Sequence, residues 1–400
     1  MTDLLVIGGG FYGAMLTLEA ARRGLSTVLL ERSDFGGATS ANSLRIVHGG
    51  LRYLQSLDLS RFRESVAERR WFLRHFPDLV QPLPCLMPLY RSPRGGRLRR
   101  PAVFRAALAI NDRLARENRL PPGRVLDVSE TVDLFSGVDR NGLVGAALWH
   151  DAVLTDPKLV LLETLRWAGR CGARSLNRIE AVELRTDGRM VTGLRAVGLE
   201  AGESFEFRAR SVVNCAGPWC RTIAARFDRD LPELFRPLLA FNLLLDREPL
   251  SQTALAVAAP GKGAQTWFLL PMDGKVLAGT FYVPTHGDFS PELGPDDAAV
   301  AAFLHEINAA VPGWDLRPEQ VLQVCHGWLP ASSDGLLVPA SRPVIHDHGA
   351  ARGPEGLFSV SGVKLTTARA VAEKTLAKIL AARGESLPAL SFEDRLELAR

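Results

Sequence analysis

The stretch Leu4-Leu5-Val6-Ile7-Gly8-Gly9-Gly10-Phe11-Tyr12-Gly13 decides the fold of this 400-residue chain. Its first four residues form an apolar run typical of a buried strand, and residues 14–23 are predicted to be helical. Gly8 permits a tight turn, Gly10 lets the backbone approach a pyrophosphate, and Gly13 lets the helix pack closely on the strand. The N-terminus of such a helix attracts phosphate through its N–H groups and its dipole.

A second apolar strand, Thr27-Val28-Leu29-Leu30, ends in Glu31, eighteen residues after Gly13. A carboxylate at this position accepts hydrogen bonds from ribose hydroxyls and repels a 2′-phosphate. The unit therefore predicts a dinucleotide site that prefers FAD or NAD to NADP. The order of strand, glycine turn, helix, strand and acid is much more specific than the glycine turn alone.

The composition is that of an ordinary globular protein, with 46% hydrophobic residues, 23% charged residues and a net charge of +4. The length predicts two domains, because a single core rarely grows to this size. No apolar run reaches the roughly 20 residues needed to cross a bilayer. The five cysteines are odd in number and form no CxxC pair, which argues against a disulfide framework and favours the cytoplasm. No HExxH motif or carboxylate cluster predicts a metal site.

Positive charge is concentrated between Arg91 and Arg124, where ten arginines face two acidic residues. Apolar residues from Val103 to Leu114 can form one stripe of a helix with arginines around it. Such a helix can lie on an anionic membrane at its inner face, or it can simply expose solvated arginines. The segment lacks the interleaved aromatic residues of a nucleic-acid binder, so no nucleic-acid partner is predicted.

The rest of the chain alternates between helical and strand-like patterns. Helices are predicted at residues 59–76, 157–171, 296–311 and 364–382, and a loop at 35–43. Short alternating runs at 179–184, 191–197 and 204–209 predict an antiparallel meander with a turn at Asp187-Gly188. Further strands are predicted at 211–217, 238–245, 266–270, 276–280 and 356–362, while prolines interrupt residues 77–93. This order predicts a nucleotide-binding domain in three pieces with a β-rich second domain inserted.

Three further segments carry a family resemblance. They are Ala38-Thr39-Ser40 with the following His48-Gly49-Gly50-Leu51-Arg52-Tyr53-Leu54, then Val213-Asn214-Cys215-Ala216-Gly217-Pro218-Trp219, and Ser361-Gly362-Val363-Lys364-Leu365-Thr366-Thr367. Together they resemble the FAD-dependent glycerol-3-phosphate dehydrogenases of the D-amino-acid-oxidase (DAO) flavoprotein superfamily. The resemblance extends in order from about Asp3 to Leu380.

The resemblance implies a DAO-like α/β fold. A Rossmann-like FAD domain of the glutathione-reductase type would comprise residues 1–90, 150–230 and 335–400. An inserted β-rich substrate domain, built on a mixed or antiparallel sheet, would comprise residues 91–149 and 231–334.

The resemblance also implies non-covalent FAD. The glycine turn would hold the pyrophosphate, Glu31 the adenosine ribose, and the segment from Ala38 to Ser40 the pyrophosphate or ribityl part. The helix that begins near Lys364 would direct its positive end at the N1–C2=O edge of the flavin. The implied cofactor contacts are Gly8, Gly10, Phe11, Tyr12, Gly13, Glu31, Arg32, Ala38, Thr39, Ser40, His48, Gly49, Gly50, Gly217, Gly362, Lys364, Leu365 and Thr366.

An anionic small-molecule substrate is implied by positions that match the family's phosphate grip, namely Arg52, Tyr53, Arg342 and Lys364. The chain departs from the family pattern at Leu239, Asn242 and Leu329, where the family tends to carry lysine, histidine and arginine. His48 and His326 are the candidate proton acceptors, because histidine titrates near neutral pH.

The predicted function is FAD-dependent oxidation of a C–H bond next to oxygen, with hydride transfer to flavin N5. An anionic polyol phosphate or related hydroxy compound would be the substrate. One alternative is an amine or amino-acid oxidase on the same scaffold, and another is a flavin-binding subunit without turnover. The sequence does not specify the electron acceptor.

Overall fold

The computed structural model describes residues 1–55, 58–91, 100–116, 120–228, 234–261, 264–283, 290–332 and 337–390. The strands within these ranges are β1 Thr2–Ile7, β2 Thr27–Leu30, β3 Ile46–Val47, β4 Val80–Tyr90, β5 Arg124–Leu126, β6 Leu143–Leu154, β7 Arg174–Leu176, β8 Ile179–Asp187, β9 Met190–Gly198, β10 Ser204–Asn214, β11 Pro237–Leu245, β12 Ala254–Val257, β13 Trp267–Met272, β14 Lys275–Val283, β15 Val321–Pro330, β16 Val344–Asp347 and β17 Leu357–Ser361. The α-helices are α1 Phe11–Ala21, α2 Leu51–Gln55, α3 Leu59–His75, α4 Pro101–Leu114, α5 Val128–Leu134, α6 Pro157–Arg170, α7 Cys220–Phe227, α8 Asp297–Ala310 and α9 Ala368–Ala382.

The first sheet has the strand order β16-β17-β10-β1-β2-β7. Strands β17, β10, β1, β2 and β7 run parallel, and β16 is antiparallel to β17. The first half of β10 pairs with β9, which pairs with β8, so the predicted meander continues this sheet. The parallel arrangement brings the carboxyl ends of the strands to one edge, where ligands of open α/β sheets bind.

The central strand β1 is buried on both faces, which explains its unbroken apolar run. Leu4 and Val6 pack into a core formed with α1, α6 and α9. Leu5 and Ile7 point to the opposite face and pack against β8, β9 and α7. Side chains alternate between the two faces of a strand, so four consecutive apolar residues serve both layers.

The second sheet has the order β15-β11-β14-β13-β12-β4-β6-β3, with β5 beside β6. It is mixed, because β12 and β4 are parallel while the other neighbours are antiparallel. One face packs against α8 through Phe303 and Ile307. The other face packs against α2 and α4 through Leu54 and Phe104. The prediction of an α/β fold with a second, mixed sheet is therefore confirmed.

Most predicted helices and strands are present within a few residues of their expected bounds, but β4 is a correction. Its three prolines, Pro82, Pro84 and Pro88, occupy alternate positions, so their missing N–H groups fall on one edge of the strand. The pairing with β6 runs along the whole of β4, whereas β12 pairs only with Cys85 and Leu86 on the other side. The strand therefore tolerates its prolines. It lies in the second sheet, whereas the predicted boundaries assign residues 1–90 to the FAD domain.

Candidate active site

A cavity of about 1550 Å³ lies between the two sheets. Its volume exceeds the usual 300–1,000 Å³ of a site for one drug-sized ligand, so it has room for a dinucleotide and a small substrate. One wall consists of residues at the carboxyl ends of the parallel strands, including Gly8, Glu31, Cys215 and Gly362. The other wall consists of residues of the second sheet, including Phe268, Thr280 and Gly327.

The glycine turn is as compact as the sequence predicts. Gly8 has a φ of 102°, a conformation that favours glycine. A Cβ atom at Gly13 would collide with the carbonyl oxygen of Gly8. The backbone N–H of Phe11 donates to Oγ of Ser40 over 3.1 Å, so the loop after β2 reaches the first turn of α1.

Glu31 is held by the backbone on both sides. Its Oε2 accepts a hydrogen bond from Gly9 N–H over 2.7 Å, and its Oε1 accepts one from Ser33 N–H over 2.7 Å. A carboxylate oxygen can accept more than one hydrogen bond. Glu31 is therefore fixed at the cavity wall and retains acceptor capacity for ribose hydroxyls.

Tyr12 connects α1 with the turn after β17. Its hydroxyl donates to the carbonyl oxygen of Lys364 over 2.6 Å and accepts from the Lys364 N–H over 3.2 Å. A side chain at Gly362 would collide with the Tyr12 ring, so this glycine is required by the tyrosine. Burial raises the pKa of Tyr12 to about 12, which keeps the hydroxyl protonated and able to donate. The helix predicted from Lys364 begins as a 3₁₀ turn at Leu365–Thr367 and continues as α9.

Cationic side chains gather on one side of the cavity. The ammonium of Lys364 donates to the Tyr53 hydroxyl and lies 4.8 Å from the centroid of that ring. The Arg61 guanidinium lies 5.0 Å from the same ring, and Arg342 lines the same cavity. Hydrogen bonds from Arg61 and, more weakly, the charge of Arg342 lower the pKa of Asp58. The side chain of Arg52 lies outside the described residues.

His48 is the one histidine among the described residues that line the cavity. Its Nδ1 lies 3.1 Å from Oδ2 of Asp151, a buried carboxylate on β6. The centroid of its ring lies 5.0 Å from that of Phe268. Burial would raise the pKa of Asp151, but the hydrogen bond and charge of His48 and the charge of Arg69 lower it to about 2.

The structure separates the predicted site residues into two groups. The cavity is lined by Tyr53, Arg342 and all the predicted cofactor residues except Gly13 and Gly49. Gly49 instead packs against the Arg69 guanidinium, which a Cβ atom would displace. His326 does not line the cavity. Its ring packs against Gly294 instead. His48 therefore remains the candidate base.

Sequence reasoning missed several residues of the cavity wall, among them Arg61, Asp151, Arg226 and Phe268. Asp151 had a detectable signal, since it is a charged residue inside an apolar run that proved to be β6. Arg61 and Arg226 lie on helices whose patterns show no such interruption, so no local feature marks them.

The chain matches the family described as DAO, FAD dependent oxidoreductase, over residues 3–378. It belongs to this family. Its relatives include the mitochondrial glycerol-3-phosphate dehydrogenase of Macaca fascicularis, 30% identical over 388 residues that cover 94% of this chain and 52% of the relative. Glycerol-3-phosphate dehydrogenase 1 of Mycobacterium bovis is 31% identical over 398 residues, which cover 95% of this chain and 73% of the relative. The chain thus spans about half the length of the mitochondrial relatives it matches.

Solved structures show the same fold. The glycerol-3-phosphate dehydrogenase from Bacillus halodurans complexed with FAD has a TM-score of 0.73 and 23% identity, covering 98% of this chain and 66% of that one. The L-proline dehydrogenase from P. horikoshii has a TM-score of 0.66 and 14% identity, covering 98% and 96%. The predictions of a DAO-like fold and of membership in a family of FAD-dependent oxidoreductases, with FAD as the family's cofactor, are confirmed.

The residues of the cavity fit FAD. Nothing lies within 4 Å of a Cβ atom built on Gly217, so space remains beside this backbone for a ligand. Thr39 lines the cavity, and its Oγ1 has no hydrogen-bond partner among the described residues. The glycine turn and Glu31 would hold the pyrophosphate and the ribose, and Thr39 and Gly217 would lie beside the cofactor.

Proposed function

We propose that this protein oxidises a carbon that bears a hydroxyl group in a small anionic substrate, a polyol phosphate or related hydroxy compound. The observation that carries the proposal is that His48 and the cations Lys364 and Arg342 line the same cavity as the glycine turn. Bound FAD supplies the acceptor for the hydride at flavin N5. The protein would supply an anion site and a proton acceptor and would hold the substrate in position.

Lys364 and Arg342 would bind the anionic group. Lys364 stands at the start of a helical segment, where the positive end of the helix dipole disfavours a cation. A negatively charged ligand beside Lys364 would offset this repulsion. The contacts with Tyr53 and Tyr12 hold the ammonium and its backbone in place, so the anion site is organised before substrate binds.

His48 would accept the hydroxyl proton as the substrate becomes a carbonyl compound. A neutral imidazole suits this task near pH 7. Its side chain is 41% exposed in the cavity, whereas its carboxylate partner Asp151 is 4% exposed. His48 can therefore reach a substrate while the Asp151 carboxylate stays shielded from water.

The wall formed by the second sheet carries the uncharged residues Asn242 and Leu329. It therefore favours a substrate whose charged group faces Lys364. Asn242 donates to the carbonyl oxygen of Asn42 over 2.7 Å and accepts from Thr280 over 2.8 Å, so its amide is committed to protein contacts. Leu329 adds an apolar side chain. The names of the relatives at 30–31% identity make glycerol-3-phosphate the first compound to test.

The test is an anaerobic titration of the flavin absorbance with glycerol-3-phosphate, glycerol, amines, amino acids and hydroxy acids. The proposal expects loss of the oxidised flavin spectrum with glycerol-3-phosphate or another anionic hydroxy compound, and a much weaker response to glycerol. Bleaching by an amine or amino acid alone would replace it with the amine-oxidase alternative. A spectrum that no compound bleaches would favour the flavin-binding subunit. Peroxide release on admission of air would then identify oxygen as an electron acceptor, and turnover with a quinone but without peroxide would identify the quinone.

We also propose that the basic segment between Arg91 and Arg124 contacts an anionic membrane surface, at the inner face of the cytoplasmic membrane. Its residues 92–99 and 117–119 lie outside the described part of the chain, and α4 supplies the support. Phe104 and Leu108 are buried on the second sheet, but Ile110 and Leu114 are each 47% exposed on a face that also carries exposed arginines. Among the described residues, no helix has the length and apolarity required to span a bilayer.

Sedimentation with vesicles tests this contact. The holoenzyme should pellet with vesicles that contain phosphatidylserine and should be released by high salt, because the attraction includes surface charge. Substituting both Ile110 and Leu114 by aspartate should abolish pelleting without loss of flavin. Equal recovery in the supernatant with neutral and anionic vesicles would contradict the proposal.

A further inference from the structure

We propose that Asp151 is a positioning residue that fixes the tautomer of His48, so that Nε2 is the proton-accepting atom. This inference rests on the proposed role of His48 as the base. Asp151 lies on β6 and His48 lies between β3 and α2, 103 positions apart in the sequence. The pairing of β3 with β6 brings them together, since Val47 is opposite Ala152.

The carboxylate of Asp151 is surrounded by donors. Oδ1 accepts from Gly49 N–H over 2.7 Å and from the Arg69 guanidinium over 3.0 Å. Oδ2 lies 3.2 Å from the indole nitrogen of Trp149 and 3.1 Å from Nδ1 of His48. Four groups therefore hold the carboxylate, and the neighbouring positive charge of Arg69 keeps it ionised.

An ionised carboxylate has no proton to donate, so Nδ1 of His48 must be the donor in this contact. A neutral imidazole carries one N–H group. When it is on Nδ1, the lone pair of Nε2 is free to accept a proton. The same carboxylate favours the imidazolium that forms when Nε2 takes the proton.

Other ionisable groups near the pair come from α3, β4 and β6, where the imidazole of His150 interacts with the charges of Arg69 and Asp151. Arg69 of α3 is 1% exposed and also donates to the carbonyl oxygen of His150 over 2.8 Å. The thiol of Cys85 on β4 is buried, and burial raises its pKa well above the ordinary value, so it stays neutral. Phe268 of β13 contacts the other side of the His48 ring. Among the described residues, Asp151 is thus the carboxylate in contact with His48, and Arg69 is the cation in contact with that carboxylate.

A purely structural role is the alternative, because a buried arginine such as Arg69 needs a carboxylate partner whatever His48 does. The variant Asp151→Asn separates the two roles. Its amide oxygen can still accept from Gly49 and Arg69, but its NH₂ group would face Nδ1 of His48. His48 would then place its proton on Nε2, and the accepting lone pair would point away from the substrate.

The experiment measures kcat and KM for glycerol-3-phosphate from pH 5 to 9 with the flavin-loaded Asp151→Asn, Trp149→Phe and His48→Asn variants. We expect Asp151→Asn to lose about 100-fold or more in kcat with little change in KM. Trp149→Phe, which removes a neutral donor from the same carboxylate but leaves its negative charge, should retain most of the parental kcat. The double variant His48→Asn/Asp151→Asn should be no slower than His48→Asn, because Asp151 acts through His48.

A measurement on the unaltered enzyme covers the case in which Asp151→Asn fails to fold. Nitrogen-15 NMR of histidine-labelled holoenzyme, assigned with the His48→Asn variant, should show the Nδ1–H tautomer at pH 8. The Nε2–H tautomer would overturn the inference, as would an Asp151→Asn enzyme with normal kcat. Full activity of His48→Asn would instead contradict the proposed role of His48 itself.

Discussion

The hydroxyl of Tyr12 forms two hydrogen bonds with the backbone of Lys364, one to its carbonyl oxygen and one from its N–H. Tyr12 lies in the first turn of α1, which begins at the glycine turn, while Lys364 carries a candidate anion-binding ammonium. One phenol therefore couples the cofactor side of the cavity to its substrate side.

Removal of this hydroxyl should weaken both sides. In Tyr12→Phe the ring still fills the space above Gly362, but two backbone groups of Lys364 lose their partner. We expect the free energy of unfolding to fall by about 1–3 kcal/mol and KM for an anionic substrate to rise. Thermal unfolding and steady-state kinetics measure the two effects. An unchanged KM would show that the Lys364 turn holds its shape without Tyr12.

The glycine turn offers a stricter test of close packing. Gly13→Ala places a Cβ atom against the carbonyl oxygen of Gly8, so we expect a loss of about 1–3 kcal/mol in stability and loss of bound flavin. Gly169→Ala is the matched control, because nothing lies within 4 Å of a Cβ atom there and the residue is in α6. That control should gain stability by about 0.4–1 kcal/mol. Unchanged stability and full retention of flavin in Gly13→Ala would contradict the close packing of α1 against the glycine turn.

The anion site predicts a charge-specific loss of substrate affinity. Lys364→Met should raise KM for glycerol-3-phosphate about 10- to 100-fold, the range for a hydrogen bond to a charged group. Arg342→Gln should have a smaller effect, because Arg342 is exposed to solvent. The rate with neutral glycerol should hardly change in either variant, and Lys378→Met, on the far part of α9, should resemble the parent. Equal losses with glycerol and its phosphate would place these cations outside the anion site.

Glu68 predicts a dependence of stability on pH. Burial outweighs the nearby Arg369 and raises the pKa of Glu68 to about 7, and its Oε2 has no hydrogen-bond partner among the described residues. A raised pKa in the fold stabilises the protonated form, so this contribution is complete below about pH 4.5 and is lost as the pH rises through 7. The free energy of unfolding should therefore fall by about 1–3 kcal/mol between pH 5 and 8.

Urea denaturation at the two pH values measures this change. Glu68→Gln should flatten the dependence, because its side chain cannot ionise. Glu206→Gln, which alters an exposed ion pair with Arg185, should retain the slope of the parent. A slope that is the same with and without Glu68 would contradict the assigned pKa.

The features that the sequence predicts are those determined by neighbouring residues. The glycine turn, α1 and the acid that ends β2 follow from residues within about thirty positions, because turn geometry and strand burial are local requirements. The hairpin turn at Asp187-Gly188 is likewise visible in its residues. The family resemblance of the segments around His48 and Lys364 allows the family and its cofactor to be predicted as well.

Contacts between distant segments are beyond such patterns. Nothing near His48 indicates that Asp151 is its partner, because strand pairing between β3 and β6 creates the contact. The sequence predicts that Gly49 contacts the cofactor, but the requirement for a glycine comes from Arg69, a residue of α3. The direction of the His326 ring likewise depends on the register of β15 in the sheet, which puts the ring beside Gly294 and away from the cavity wall.

The loop between β2 and β3 is fastened to the second sheet at two points. Asn42 donates to the carbonyl oxygen of His326 over 2.7 Å, and its own carbonyl oxygen accepts from Asn242. The same loop supplies Thr39 and Ser40 to the cofactor side of the cavity, so it connects the two sheets. Bound flavin should therefore stabilise this loop, and resistance to limited proteolysis should increase with added FAD. The cofactor would then serve as a structural member of the enzyme as well as its redox group.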